Sequence, residues 1–427
     1  MNPALALAYE GAARLAHALS SVAPHSDRKL LATFVERRGI LARYAGFRRD
    51  TARPLLWMHA PSVGEGLQAR PVLQLARSRR PDLQLAYTWF SPSARAFAST
   101  LDVDFRDALP FDATPDMRAA LAALAPSALV FSKLDVWPTL AREASRRGTR
   151  LGLISATLAR SSSRRSPLAS SLLREAYARL ERVGAISSED ADRLISLGVP
   201  AMRVSVTGDT RYDQVWARAQ NVDRHGALLE PLAAPERLTL VAGSTWPADE
   251  AQLLPAWARL ARQHGVRRPR LIIAPHEPTV AHLAPIERWA SSEGLVTARL
   301  AAPAAGHADV IIVDRVGILG DLYALADVAF VGGGFHAAGL HSVLEPAAFG
   351  APVLFGPRHH ASRDAMLLLD ADGALDVASD GGLERGLDHW FTDSAARRAA
   401  GDAARAVVHR GLGAAERSWE LVESLLR

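Results

Sequence analysis

The 427-residue chain contains no cysteine. That absence excludes disulfides, thiolate catalysis and cysteine-ligated zinc, and it fits a reducing compartment. Lysine is nearly missing too: among 50 basic residues only Lys29 and Lys133 are lysines. Where arginine is the default cation, a retained lysine points to a place that a planar guanidinium does not suit. No HExxH, GxSxG or GxxxxGK[ST] pattern occurs, which removes the metallopeptidase, serine-hydrolase and P-loop readings. The acidic pairs at 102–104 and 370–372 are short patterns common by chance, and His359-His360 lack a clear third metal ligand. No uninterrupted run of about 20 apolar residues is present, and no basic stretch, apolar core and cleavage site suggest a secretory signal.

What is present describes a folded protein with room for two domains. Hydrophobic residues make up 49% and charged residues 22%, a globular composition. The net charge of +5 is concentrated, because residues 28–53 hold eight basic side chains (Arg28, Lys29, Arg37, Arg38, Arg43, Arg48, Arg49, Arg53) against Glu36 and Asp50. Before this block, residues 3–22 suggest an amphipathic helix. Glu10, Arg14 and His17 fall in one sector and leave the side of Leu5, Leu15 and Leu19 apolar. Two readings fit: a helix lying on an anionic membrane with arginines on the headgroups, or a helix packed on its own domain with a solvated arginine face. Basicity confined to this segment disfavours nucleic acid as a partner.

From residue 55 onward short apolar runs alternate with helical patterns. Strands are expected at 55–59, 83–89, 128–131, 150–155, 183–187 and 203–207, and again at 237–243, 270–275, 309–314, 327–332, 352–356 and 374–378. This alternation implies βαβ units and parallel sheets. The expected organisation is a membrane-surface segment at 1–54, a Rossmann-like domain at 55–213, a connection at 214–236, a second Rossmann-like domain at 237–393, and C-terminal helices at 394–427 that pack back on the first domain. Ligands in such sheets bind beyond the carboxyl ends of strands, and that rule ranks the candidate residues.

It selects the corner "HAPSVGEG", where Ser62, Gly64 and Glu65 follow a strand and open a helix. An acid there either favours the helix N-terminus or accepts a proton. It selects "FSKLDVWP", where Lys133 and Asp135 could clamp an anion or each other, and Arg211 in "VTGDTRYD". In the second half it selects Ser244 and Thr245 of "VAGSTWPADE", His276 of "APHEP", and the run "FVGGGFHAAGLHSVLEP". There Gly332, Gly333 and Gly334 allow close approach of a ligand or of backbone, Ser342 is a plausible helix N-cap after His341, and Glu345 could accept ribose hydroxyls. The run is not a GxGxxG fingerprint, so a standard NAD domain is disfavoured.

Taken in order, "HAPSVGEGLQARP", "SKLDVWP", "ISATLARSSSRRS", "AISSEDADRLISLGV", "VTGDTRYD", "VAGSTWPADE", "APHEP" and "ADVAFVGGGFHAAGLHSVLEPAAFGAPVLFGP" cover most of residues 30–375. This ordered set resembles the 3-deoxy-D-manno-octulosonic acid (Kdo) transferases. The resemblance implies an α/β fold of the GT-B type, two Rossmann-like domains facing a central cleft. It implies an inverting glycosyltransferase that moves Kdo from CMP-Kdo to the lipid A precursor at the cytoplasmic face of the inner membrane, without a metal or other cofactor. It further implies Glu65 as catalytic base, with nucleotide contacts at Ser244, Thr245, His276, Gly332, Gly333, Gly334, His341, Ser342 and Glu345. Sugar or acceptor contacts fall on Ser62, Gly64, Lys133, Asp135 and Arg211. The chain departs from the usual family pattern where Lys133 replaces an acid, Ser342 an asparagine, and "APHEP" an Arg-His pair. The alternatives are another sugar-nucleotide enzyme of the same fold, such as a UDP-sugar transferase or epimerase, and an inactive membrane-surface binding protein.

Overall fold

A computed structural model describes residues 3–22, 24, 29–159, 162–263, 268–377 and 381–427. Arg28 of the basic block, Arg160 and Ser161 of the Ser/Arg-rich stretch, and Ala378 at the end of the last expected strand lie outside the described residues. The chain divides into two compact units, Met1–Gln214 with Leu412–Arg427, and Val215–Gly411.

The first unit is built on β1 (Leu55–His59), β2 (Gln84–Trp89), β3 (Phe105–Ala108), β4 (Ala128–Ser132), β5 (Arg150–Ala156), β6 (Arg182–Ala185) and β7 (Val204–Val206). They pair in the order β3-β2-β1-β4-β5-β6-β7, with parallel neighbours throughout. Helices cover both faces of such a sheet, so its central strands read as unbroken apolar runs; β1, β2 and β4 are buried at every position. Trp57, Trp419, Tyr87 and Phe131 are among the largest side chains in this core.

The second unit carries β8 (Thr239–Thr245), β9 (Arg270–Pro275), β10 (Thr297–Arg299), β11 (Val310–Ile312), β12 (Val328–Val331), β13 (Val353–Phe355) and β14 (Ala374–Asp376). Their order is β10-β11-β9-β8-β12-β13-β14, again parallel. Each sheet reverses its winding once, between β1 and β4 in the first and between β8 and β12 in the second. Those reversals open a crevice at the carboxyl strand ends.

Two strands lack an expectation from the sequence. Both β3 ("FRDA") and β10 ("TAR") lie at sheet edges, where one side of the ladder meets solvent and no apolar run is needed. Residues 214–236, expected as a connection, begin inside a helix, Arg211–Asn221. They then bury Leu229 and Leu232 in the second unit's core. Of the C-terminal helices, Ser394–Arg410 belongs to the second unit and Ala414–Ser424 to the first. Asp213 holds the latter by accepting from the amides of Gly413 and Ala415 at 2.8 and 2.9 Å.

The N-terminal helix Pro3–Val22 packs by its polar side. Tyr9 donates to Asp112 at 2.9 Å, His17 meets Asp116 at 2.6 Å, and Glu10 accepts from the amide and hydroxyl of Thr114. Leu7, Leu15, Leu19 and Val22 are left 75%, 61%, 45% and 75% exposed, whereas Leu5 is half-buried. Four arginines of the basic block are bonded to the protein itself. Arg37 is buried, donating to the carbonyls of Leu109, Thr33 and Phe90. Arg43 forks onto Asp107, and Arg49 and Arg53 cross-link backbone carbonyls. A guanidinium has five donors, and here they close strand and helix ends. No helix among the described residues is long and apolar enough to cross a membrane.

Candidate active site

The first reversal brings the corner after β1 beside the loop after β4. Ser62, extended at φ −138°, is the N-cap of the helix Val63–Arg79. The Ser-x-x-Glu spacing matches a capping box, but the reciprocal bonds do not form. Ser62 makes no side-chain cap bond; its hydroxyl donates to Oε2 of Glu65. Oε1 of Glu65 accepts from Nζ of Lys133 at 3.0 Å. The Glu65 carbonyl accepts from Ser132 Oγ at 3.0 Å. Burial pushes the Glu65 carboxyl up, but the Lys133 ammonium and the two hydrogen bonds outweigh it and hold the group below the usual carboxylate range. Glu65 is therefore an ionised, oriented carboxylate at the carboxyl end of the sheet.

Lys133 has φ +71°, a left-handed conformation that L-residues seldom adopt. The expected alternative of a Lys133–Asp135 pair is not what forms: Asp135 is paired with Arg164, and burial raises its carboxyl. Gly64 is exposed, and a side chain there would meet only Ser62 Oγ at 3.9 Å, so space opens beside the carboxylate. Arg211 stands apart, clamped onto Asp209 by Nε and Nη2 at 2.9 and 2.7 Å. Below the corner, His59 accepts at Nε2 from Trp137 Nε1 at 3.0 Å, so its proton sits on Nδ1, against Thr88 Oγ1 at 2.9 Å. Burial, with Arg37 nearby, lowers its pKa to about 3, and it is a neutral support.

The second reversal gathers the other candidates. The three glycines admit backbone rather than leave open space: a Cβ on Gly332 would overlap the Ser244 backbone, one on Gly333 the carbonyl of Gly339, and one on Gly334 the backbone of Gly356. Ser244 itself is left-handed at φ +54°. Buried Asp249 pins the run, accepting from the amides of Gly333 and Phe335 at 2.7 and 3.0 Å. Thr245 is buried and donates to Glu250 at 2.7 Å. The expected helix start at Ser342 is corrected: Ser342 is exposed, the N-cap is Val343, and Leu344–Ala348 is a single short turn. Its first free amides therefore lie beyond the residue expected to present them. Glu345 is half-buried, with Arg218 Nη1 at 3.9 Å; burial raises its carboxyl.

Trp246 and His336, not singled out from the sequence, join His276 and His341 in one aromatic array. Trp246 stacks on His336 at 4.2 Å and 8° and on His276 at 4.6 Å, and His276 stacks on His341 at 4.5 Å. Trp246 Nε1 donates to His341 Nε2 at 3.1 Å, and burial lowers the His341 pKa. The signal for Trp246 was its place directly after a strand end, at the rank already given to Ser244 and Thr245. Among the described residues no group of three or more His, Cys, Asp or Glu side chains could hold a metal ion.

Two doubly wound sheets, each with polar groups at its reversal, define an α/β protein of the GT-B class. The fold is shared with the UDP-GlcNAc 2-epimerase of Neisseria meningitidis, crystallised with UDP-GlcNAc, at a TM-score of 0.64 and 13% identity over 87% of this chain and all of that one. Residues 33–214 match the family model described as 3-deoxy-D-manno-octulosonic-acid transferase (kdotransferase). The 3-deoxy-D-manno-octulosonic acid transferase of Bordetella pertussis is 32% identical over 384 residues, 87% of each chain. That of Chlamydia muridarum is 27% identical over 379 residues, 87% of this chain and 86% of the other. The chain belongs to the 3-deoxy-D-manno-octulosonic acid transferase family and is a glycosyltransferase.

Proposed function

We propose that this glycosyltransferase moves Kdo from CMP-Kdo to a hydroxyl of the lipid A precursor in lipopolysaccharide assembly, with Glu65 as the general base. The observation that carries the reading is the Glu65 carboxylate, held ionised at the reversal of the first sheet while its helix cap is left unmade. As the acceptor hydroxyl attacks the anomeric carbon, Glu65 takes its proton, the new C–O bond forms on the face opposite the leaving CMP, and the bond from that carbon to the CMP phosphate oxygen breaks with its electron pair going to that oxygen. That geometry inverts the anomeric centre. One carboxylate in hydrogen-bond reach is sufficient for it. The reading uses no metal. The Trp246, His276 and His341 array supplies flat faces and ring nitrogens suited to a nucleotide base and phosphate.

The exposed leucines of helix Pro3–Val22 support attachment to a membrane surface. With its polar side spent on Asp112, Thr114 and Asp116, the helix offers its apolar side outward. We place that surface at the cytoplasmic face of the inner membrane, where acceptor and nucleotide donor meet. The test is incubation with CMP-Kdo made in situ and tetra-acylated lipid A precursor, followed by mass spectrometry. Addition of one or more Kdo masses supports the reading. Displacement of bound donor by UDP but not by CMP contradicts it.

A further inference from the structure

Glu65 is held in a state that a base must leave. Oε2 accepts from the Ser62 hydroxyl and Oε1 from the Lys133 ammonium, and the ammonium at 3.0 Å holds down the carboxylate's affinity for a proton until it leaves. Lys133 differs from its partner in being able to move. Its side chain is 43% exposed against 14% for Glu65, and among the described residues Glu65 is its one side-chain hydrogen-bond partner, which leaves two of its three N–H donors for another acceptor. The half-exposed ammonium stays solvated when it leaves the carboxylate, which lowers the cost of exchanging that contact for a second anion. The backbone at Lys133 is left-handed, and its amide donates to Ile154 at 2.9 Å, which fixes the root of the side chain while the tip stays adjustable.

Lysine also matters here by type. An arginine would present a two-pronged donor to both carboxylate oxygens, displacing Ser62 and locking the acid. In a chain with only one other lysine, the retained ammonium has the chemistry of a contact that must be broken.

We propose that Lys133 masks Glu65 in the substrate-free protein and passes to a substrate anion, a sugar carboxylate or a phosphate, when substrate binds. The inference rests on the transfer reading above and adds why the carboxylate is a weak base until substrate binds. The other charged or titratable groups facing Glu65 are His59, neutral at the end of β1; Asp135, paired with Arg164; and Tyr87 on β2, whose buried hydroxyl lacks a hydrogen-bond partner. None of them is a cation free to replace Lys133.

Reductive methylation with 13C labels only the two lysines and the α-amino group, and loss of one NMR signal in Lys133→Gln assigns Lys133 in the full chain. Free Kdo and glucosamine 1-phosphate are titrated separately, with CMP as a control that carries neither Kdo nor glucosamine. A shift of the Lys133 signal by Kdo identifies the carboxylate as the incoming anion, and a shift by glucosamine 1-phosphate identifies the phosphate. Silence with both overturns the proposal. This readout needs no turnover, so it decides the anion contact even if Kdo transfer is not found. In the transfer assay, Lys133→Gln is expected to raise the KM of the substrate bearing that anion about tenfold and to move the acid limb of kcat/KM up by about one pH unit. Lys133→Arg keeps the charge and is expected to lower kcat at least about tenfold. An arginine variant equal to wild type would contradict the masking role.

Discussion

Glu65 and His59 lie six residues apart on one strand-to-helix corner, yet burial leaves one charged and the other neutral. Glu65 has two donors on its oxygens, so the ion survives. His59 receives a donor from Trp137 on the nitrogen that protonation would require, and its pKa falls to about 3. Because the folded value lies below the unfolded one near 6.5, His59 leaves stability untouched above that pH and costs it as pH falls toward 3. At about 1.4 kcal/mol per unit, roughly 2 kcal/mol is lost between pH 7 and 5 from this group alone. Unfolding free energies from urea titrations at the two pH values are expected to differ by that amount more in wild type than in His59→Gln; equal losses would place the charge elsewhere. Gly333 makes a different residue-scale claim. Its φ of +92° and the abutting Gly339 carbonyl leave no room for a methyl, so Gly333→Ala is expected to cost about 2 kcal/mol or more in chemical denaturation. A loss under about 0.5 kcal/mol would show that the run gives way.

Elements were legible where burial wrote them. Strands closed on both faces, such as β1 and β4, stand out as apolar runs, whereas the edge strands β3 and β10 carry Arg106, Asp107 and Arg299 and leave no such trace. The helix Pro3–Val22 was legible as amphipathic, but not in its orientation. Which side faces the protein depends on Asp112, Thr114 and Asp116, about a hundred residues away. The observed orientation gives an element-scale prediction. Replacing Leu7, Leu15 and Leu19 together by serine removes exposed side chains, so the melting temperature should hold. Each leucine buried in lipid is worth about 2 kcal/mol, so sedimentation with anionic vesicles should fall at least tenfold. Unchanged vesicle binding would remove the helix from any membrane role.

At the scale of the whole molecule, the candidate site was legible as separate residues and not as partners. The sequence ranked Glu65 and Lys133 alike by their places at strand ends. Their pairing across 68 residues follows from the β1–β4 reversal, which no local pattern encodes. The same holds for Trp246 and His336, which meet because β8 and β12 are neighbours. Because the carboxylate lies in one unit and the aromatic array in the other, the chemistry and the nucleotide binding should be separable by mutation. Trp246→Ala is expected to weaken equilibrium CMP binding at least tenfold, as loss of a stacking face would; unaltered affinity would remove the array from the donor site.

The most direct test of the whole is Glu65→Gln, which keeps the shape of the side chain and removes its capacity to take a proton. Initial rates of Kdo transfer to the lipid A precursor are measured beside equilibrium CMP binding. The account predicts a rate at least about a hundredfold below wild type with CMP affinity unchanged. A variant that transfers Kdo at the wild-type rate would contradict it.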